Sequence, residues 1–263
     1  MFKSLKNKKY LITGGSGYLG KAISQGMLIA GAELIFLSKN KKKIYGLNFF
    51  KKYRNKISIY ECDLLKKESL ETELKKIKKK FKFLNGVVNV ASHVKLGDID
   101  EQDDEDFKKT FQVNVHSVFQ VIKEMKNLLK NGSSISKEDS SVVNIGSIYG
   151  LVSPDYLVYK KSKFINPISY GCSKASIIHL SKYLATSKQF KKIRVNSISP
   201  GPFPNLNSNF KKQIKKNQLI NKIPLKRFGT PKEIVGPVIF LLSNHSSYIN
   251  GTNLVVDGGF TAL

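Results

Sequence analysis

Thr13-Gly-Gly-Ser-Gly-Tyr-Leu-Gly20 is the stretch that decides the fold of this 263-residue chain. It follows a short apolar run at 9–13 and opens onto a helical pattern over 18–30. Gly15, Gly17 and Gly20 satisfy G-x-G-x-x-G, and a strand before with a helix after gives that spacing its specificity. Glycines permit the tight turn and let backbone amides approach a diphosphate at the helix N-terminus. Thr13, Gly14, Gly15, Ser16, Gly17, Tyr18, Leu19 and Gly20 are therefore expected to hold a dinucleotide.

Working outward, strand and helix patterns alternate. Strands are expected at 9–13, 33–37, 57–60, 84–90, 141–145, 193–197 and 253–256. Helices are expected over 18–30, from about 40 to 54, up to about 80, over 103–130, from Pro167 through 185, and over 231–242. Such alternation reads as α/β: a doubly wound, Rossmann-like parallel sheet with helices on both faces. A single domain over 1–263 suits the length. Thr230-Pro-Lys-Glu233 reads as a capping box, and Pro237 conflicts with the helix it would open.

Composition narrows the class. Hydrophobic residues make up 41% of the chain, enough for a core, and no 18-residue apolar run or secretory signal is visible. Cys62 and Cys172 are the only cysteines, which gives neither a disulfide scaffold nor a metal-ligand spacing. A cytoplasmic protein without a metal or a membrane partner is expected. The net charge of +26 invites a phosphate-bearing partner. Only Arg54, Arg194 and Arg227 are arginine, however, and lysines fall on nearly every element. Dedicated phosphate readers lean on arginine, so nucleic acid is not the expected partner.

Tyr170-Gly-Cys-Ser-Lys174 carries the chemistry. A tyrosine and a lysine four residues apart share one helix face. A nearby ammonium favours the phenolate, and a phenol lowered by about three units from ~10 would exchange a proton with a carbinol oxygen near neutral pH. Three Tyr-x-x-x-Lys pairs occur: Tyr156/Lys160, Tyr159/Lys163 and Tyr170/Lys174. Proline at 167 stops any helix behind Lys163, whereas a continuous apolar stripe follows Lys174, so Tyr170 is the expected acid–base group. At the end of the second strand, Leu37-Ser38-Lys39-Asn40-Lys41 offers no carboxylate for a ribose 2′-hydroxyl. Ser38 and Lys39 lean the cofactor towards NADP(H), with NAD(H) as the alternative.

The chain as a whole resembles a single-domain short-chain dehydrogenase/reductase. The matches run in order through Thr13–Gly20, Asp63, Asn89-Val-Ala-Ser92, Asn114-Val-His-Ser117, Asn144-Ile-Gly-Ser147, Tyr170–Lys174, Arg194-Val-Asn196, Pro200-Gly201 and Asn250 through Gly259. By that resemblance Ser147 would bond the substrate oxygen and Tyr170 would be the general acid or base. Lys174 would lower the phenol and bind the nicotinamide ribose, and Asn114 would hold a relay water. Asp63 and Leu64 would meet the adenine, and Asn89, Ala91, Pro200 and Gly201 would line the cofactor cleft. A homodimer or homotetramer would follow.

Departures from the family pattern point to substrate. Tyr18 stands where the single-domain branch carries a second glycine. Ser147 and Tyr170 are 23 residues apart, about ten more than usual, so 151–167 reads as an insertion over the active-site mouth. It carries Tyr156, Tyr159, Lys160, Lys161 and Lys163, and segment 205–223, read as a basic lid, adds Lys211, Lys212, Lys215 and Lys216. Long loops in compact domains serve as lids or binding loops. An anionic small molecule is expected: a sugar, sugar phosphate or nucleotide sugar, in keeping with a resemblance to reductases of bacterial surface-sugar pathways. The alternatives are a 3-oxoacyl-carrier-protein reductase and a non-catalytic cofactor- or nucleic-acid-binding regulator. His93, after the cleft strand, is a further candidate for substrate contact.

Overall fold

The computed structural model describes residues 4–206 and 213–262. Expectations at Lys211 and Lys212 lie outside the described residues. Seven strands form one sheet: β1 (Lys9–Thr13), β2 (Glu33–Ser38), β3 (Ile57–Glu61), β4 (Gly86–Asn89), β5 (Ser140–Ile145), β6 (Ile193–Pro200) and β7 (Asn253–Val256). All pairings are parallel, in the order β3-β2-β1-β4-β5-β6-β7. The chain leaves β1 towards β2 on one side and returns as β4 on the other. That reversal opens a crevice at the carboxyl ends of β1 and β4, where such sheets bind ligands.

The strands are buried on both faces, so they read as apolar runs. Leu11, Val87 and Val142 point to one core; Ile12, Val88 and Val143 point to the other. The first core is closed by α2 (Lys67–Lys80), α4 (Ser117–Ser136) and α5 (Ile168–Thr186), with α3 (Asp104–Phe111) running into α4 through a π turn at Gln112–His116. The second is closed by α1 (Tyr18–Ile29) and α6 (Val235–Leu242).

Three boundaries differ from expectation for physical reasons. Helix α4 runs on to Ser136, past the expected end at 130 and through Gly132. A Cβ at Gly132 would lie 1.8 Å from the Leu84 carbonyl oxygen, so glycine there serves close helix–strand approach. Helix α6 begins at Val235, not 231. Pro237 thus sits in the first turn, where a missing N–H breaks no helical bond, and its conflict disappears. Thr230 and Glu233 still pair, amide to carboxylate at 2.8 Å, but they close a turn ahead of the helix. The lysine-rich helix expected up to 54 is two short pieces, Lys41–Tyr45 and Phe50–Tyr53, split after Gly46.

Candidate active site

A cleft of about 840 Å3 runs across the carboxyl ends of β1, β2, β4 and β5. The glycine-rich turn forms its floor. Gly14 has φ +66, and a Cβ there would meet the Ala91 amide nitrogen at 2.5 Å; at Gly20 a Cβ would meet the Gly14 carbonyl oxygen at 2.1 Å. These two glycines let strand, turn and helix touch. The left-handed turn glycine is therefore Gly14 rather than Gly15. Gly15 packs under the Phe36 ring, 2.5 Å from a notional Cβ, and does not line the cleft. Gly17 caps α1 without any side-chain bond. The helix N-terminus, uncapped by a side chain, faces the cleft with Ser16, Tyr18 and Leu19, which is the setting for an anionic diphosphate.

At the β2 end, Ser38 and Lys39 line the cleft with Lys43, which sequence reasoning had not singled out. Lys39 Nζ lies 2.9 Å from Asp63 Oδ2. Burial alone would raise the Asp63 carboxyl, but the Lys39 ammonium and the Leu65 amide outweigh it and hold it below the usual carboxylate range. Leu64, Ala91, Pro200 and Gly201 complete the walls.

Thr13, Asn89 and Asn114 stand behind the wall. Asn89 Nδ2 donates to Asn144 Oδ1 at 2.8 Å, and Asn144 Nδ2 donates to Ser181 Oγ at 2.9 Å. Thr13 Oγ1 donates to Asn89 Oδ1 at 3.4 Å. The buried chain ties β1, β4, β5 and α5 together, satisfying polar groups that would otherwise be costly to bury. Asn114 sits in the π turn. Its Oδ1 accepts from the His93 amide at 2.7 Å, and its Nδ2 donates to the His93 carbonyl and to Ser173 Oγ at 3.1 and 3.0 Å. π turns of this kind recur at functional sites. His93 lines the cleft, and its buried Nε2 has no hydrogen-bond partner.

Ser147, at the end of β5, and Tyr170 and Lys174, on α5, meet at the cleft's inner end. The Tyr170 phenol faces Ser147, whose hydroxyl favours the phenolate. Ser147 Oγ also accepts from the Tyr149 amide at 3.1 Å, so the serine caps its own loop as well. Lys174 Nζ donates to the Ile145 carbonyl at 2.9 Å and lies 5.4 Å from the Tyr170 ring centroid. Tyr159, the rival tyrosine, sits on the 151–167 loop, and its Lys163 is exposed and turned to Phe164.

The pKa expectation for Tyr170 is corrected. Burial pushes the phenol up, and the Ser147 hydroxyl only partly offsets this. The ammonium does not reverse it because burial also pushes Lys174 down, to about 8, and Nζ is spent on a carbonyl over the ring face. A phenol so placed holds its proton.

A second cavity, about 210 Å3, adjoins Ser147 and Tyr170. The loop and the segment after β6 roof it. Tyr149 and Asn166 line it with Tyr159. Lys160, Lys161 and Lys163 are exposed, and none of the loop's lysines lines this cavity. Lys160, Lys215 and Lys216 border a separate outer groove. Among the described residues, no helix is long and apolar enough to cross a membrane.

The family model described as Enoyl-(Acyl carrier protein) reductase matches residues 16–261. An NADH-dependent L-xylulose reductase of Ambrosiozyma monospora is 30% identical, covering 96% of this chain and 94% of its own. A 3-oxoacyl-acyl-carrier-protein reductase of Chlamydia muridarum is 29% identical, covering 97% and 98%. A crystal structure of a short-chain dehydrogenase from Leptospira borgpetersenii with bound NAD+ superposes with a TM-score of 0.83 at 31% identity, covering 98% and 94%. The chain belongs to the short-chain dehydrogenase/reductase family, oxidoreductases that use a nicotinamide cofactor on alcohol and ketone groups.

Proposed function

We propose that this enzyme interconverts a secondary alcohol and a ketone on a sugar or sugar-derived substrate, with NADP(H) preferred. The observation that carries the reading is the Ser147–Tyr170–Lys174 cluster at the junction of a dinucleotide-sized cleft and a smaller cavity. When bound, the nicotinamide supplies or accepts the hydride. Ser147 and Tyr170 orient the substrate oxygen. Tyr170 passes it a proton, and a phenol held protonated suits ketone reduction. Lys174 binds the nicotinamide ribose and refills the phenol's proton through a water held by Asn114. Thr13 and Asn89 position the cleft wall through their buried bonds.

Support for NADP(H) is the β2 end itself: Ser38, Lys39 and Lys43 stand there with no carboxylate following the strand. Lys39 is paired to Asp63 but 71% exposed, free to pivot to a 2′-phosphate. We read 151–167 as an insertion and the segment after β6 as a lid. Any anionic part of the substrate would meet Lys160, Lys215 and Lys216 at the outer groove. Support for a homodimer or homotetramer is the apolar outer face of α3, α4 and α5, where Phe107, Phe119, Ile168 and Tyr183 are exposed.

Reduction of a 3-oxoacyl group on a carrier protein is a second reading, favoured by the Chlamydia relative and by a +26 charge that suits an acidic carrier. Turnover of NADPH and NADH against pentuloses, ketosugar phosphates and acetoacetyl thioesters separates the two. The first reading requires the sugars to win in kcat/KM, and thioesters winning by tenfold or more would replace it with the second.

A further inference from the structure

The roof of the smaller cavity has a core of its own. Lys160 N donates to Gln213 O at 3.0 Å and Lys215 N to Val158 O at 2.8 Å, pairing the loop with the segment after β6. Asp155 and Lys222 close a salt bridge at 2.6 Å, and Val158, Tyr159 and Ile165 pack against Ile214 and Leu219. This is a built wall.

That wall turns polar groups inward. Tyr149 and Tyr159 share a hydrogen bond between their hydroxyls at 3.1 Å, and Asn166 Nδ2 donates to the Tyr159 hydroxyl at 3.1 Å. Tyr159 is buried and Tyr149 partly so, and burial pushes Tyr149 well above the usual tyrosine range, so it stays a neutral donor. The three side chains carry four donor hydrogens. These two bonds engage two of them. These groups face the cavity, where a ligand bearing hydroxyl oxygens would complete the set.

The cavity's described lining includes no Lys, Arg, Asp, Glu or His. Neutral hydroxyl and carboxamide groups alternate with the carbon faces of Val158, Leu219 and Phe203. A volume of about 210 Å3 equals roughly seven waters at ~30 Å3 each. That is room for a pentose-sized, hydroxyl-bearing carbon chain.

We propose that Tyr149, Tyr159 and Asn166 are the specificity wall of this enzyme: they select a small polyhydroxy ketone by its hydroxyls and disfavour an acyl chain. The proposal rests on the oxidoreductase reading above. Tyr170 and Ser147 grip the carbonyl end; the wall grips the hydroxyls beyond it.

The test compares the wild type with Tyr159→Phe and Asn166→Ala on L-xylulose and D-ribulose and on cyclopentanone, which has the carbonyl but no hydroxyls. The variants should raise KM for the pentuloses by ~10- to 50-fold, the loss expected when a buried hydrogen bond is removed. Their kcat, and kcat/KM for cyclopentanone, should stay within about twofold. D-Arabinitol with NADP+ should raise the wild-type melting temperature and not that of Tyr159→Phe, a readout independent of turnover. Equal losses on pentuloses and cyclopentanone would overturn the proposal in favour of a structural role, as would unchanged pentulose kinetics. Wild-type activity on an acetoacetyl thioester but on neither pentulose would sink the wall and leave the oxidoreductase standing. Wild-type inactivity towards every probe, with NADP+ still bound, would sink the parent reading too.

Discussion

Replacing Lys174 with Met should stabilise the cofactor-free fold at neutral pH while it removes activity. The ammonium is 3% exposed, and burial lowers its pKa from 10.5 to about 8. The native state holds this proton less tightly than the unfolded chain does. Unfolding therefore takes up a proton between about pH 8 and 10.5, and stability climbs with pH across that window. The full gap corresponds to about 3 kcal/mol of destabilisation below pH 8. Lys174→Met relieves it but leaves the Ile145 carbonyl without its donor, which takes back about 1–2 kcal/mol. The variant should thus be more stable by about 1–2 kcal/mol at pH 7. By pH 9.5 the wild type should recover about 2 kcal/mol relative to it, and the difference should vanish. Urea unfolding of both proteins at the two pH values measures this directly, because every other lysine cancels in the comparison. A stability difference that does not move with pH would refute the assignment of Lys174 as a buried, destabilised cation.

Other expectations test neighbouring parts of the structure. Lys39→Glu puts a carboxylate where the 2′-phosphate is proposed to bind; kcat/KM with NADPH should fall by ~10- to 100-fold while NADH changes little. Equal losses with both cofactors would instead assign Lys39 to its Asp63 pair. Gly132→Ala would drive a Cβ into the Leu84 carbonyl and should cost about 2–3 kcal/mol in denaturant unfolding; a neutral result would mean that α4 can move away at little cost. Cys172 is exposed, whereas Cys62 lines the cleft with burial pushing its thiol up to about 11. Iodoacetamide at pH 8 should label Cys172 first and Cys62 far more slowly. Equal rates would contradict the buried environment of Cys62.

Much of this site was readable because its signals are local. The glycine turn, the strand–helix alternation and the Tyr170–Lys174 pair each lie within one short window of sequence. The choice of Gly14 over Gly15 as the left-handed turn residue depends on Ala91 and Phe36, which arrive from other strands. The run of α4 through Gly132 depends on a carbonyl about fifty residues away, and the place of Pro237 on a four-residue shift in where α6 starts, from 231 to 235. The Tyr170 phenol was expected to be lowered because spacing reports proximity to a cation and says nothing of burial, which acts on both groups and prevails. The roles of Tyr149 and Asn166 beside Tyr159 were not legible for a related reason. Their partnership with Tyr159 exists only once the loop is pinned to the segment after β6. The loop's lysines attracted attention by charge, yet it is the loop's neutral groups that face the cavity.

The most direct measurement is the oxidation of NADPH by a pentulose, followed by nicotinamide absorbance, for the wild type and Tyr170→Phe beside cofactor binding by calorimetry. Loss of kcat by ~1000-fold or more with NADPH affinity unchanged is the result predicted for a proton donor. Substantial residual turnover in Tyr170→Phe, abolished only when Tyr159 is also replaced, would contradict it.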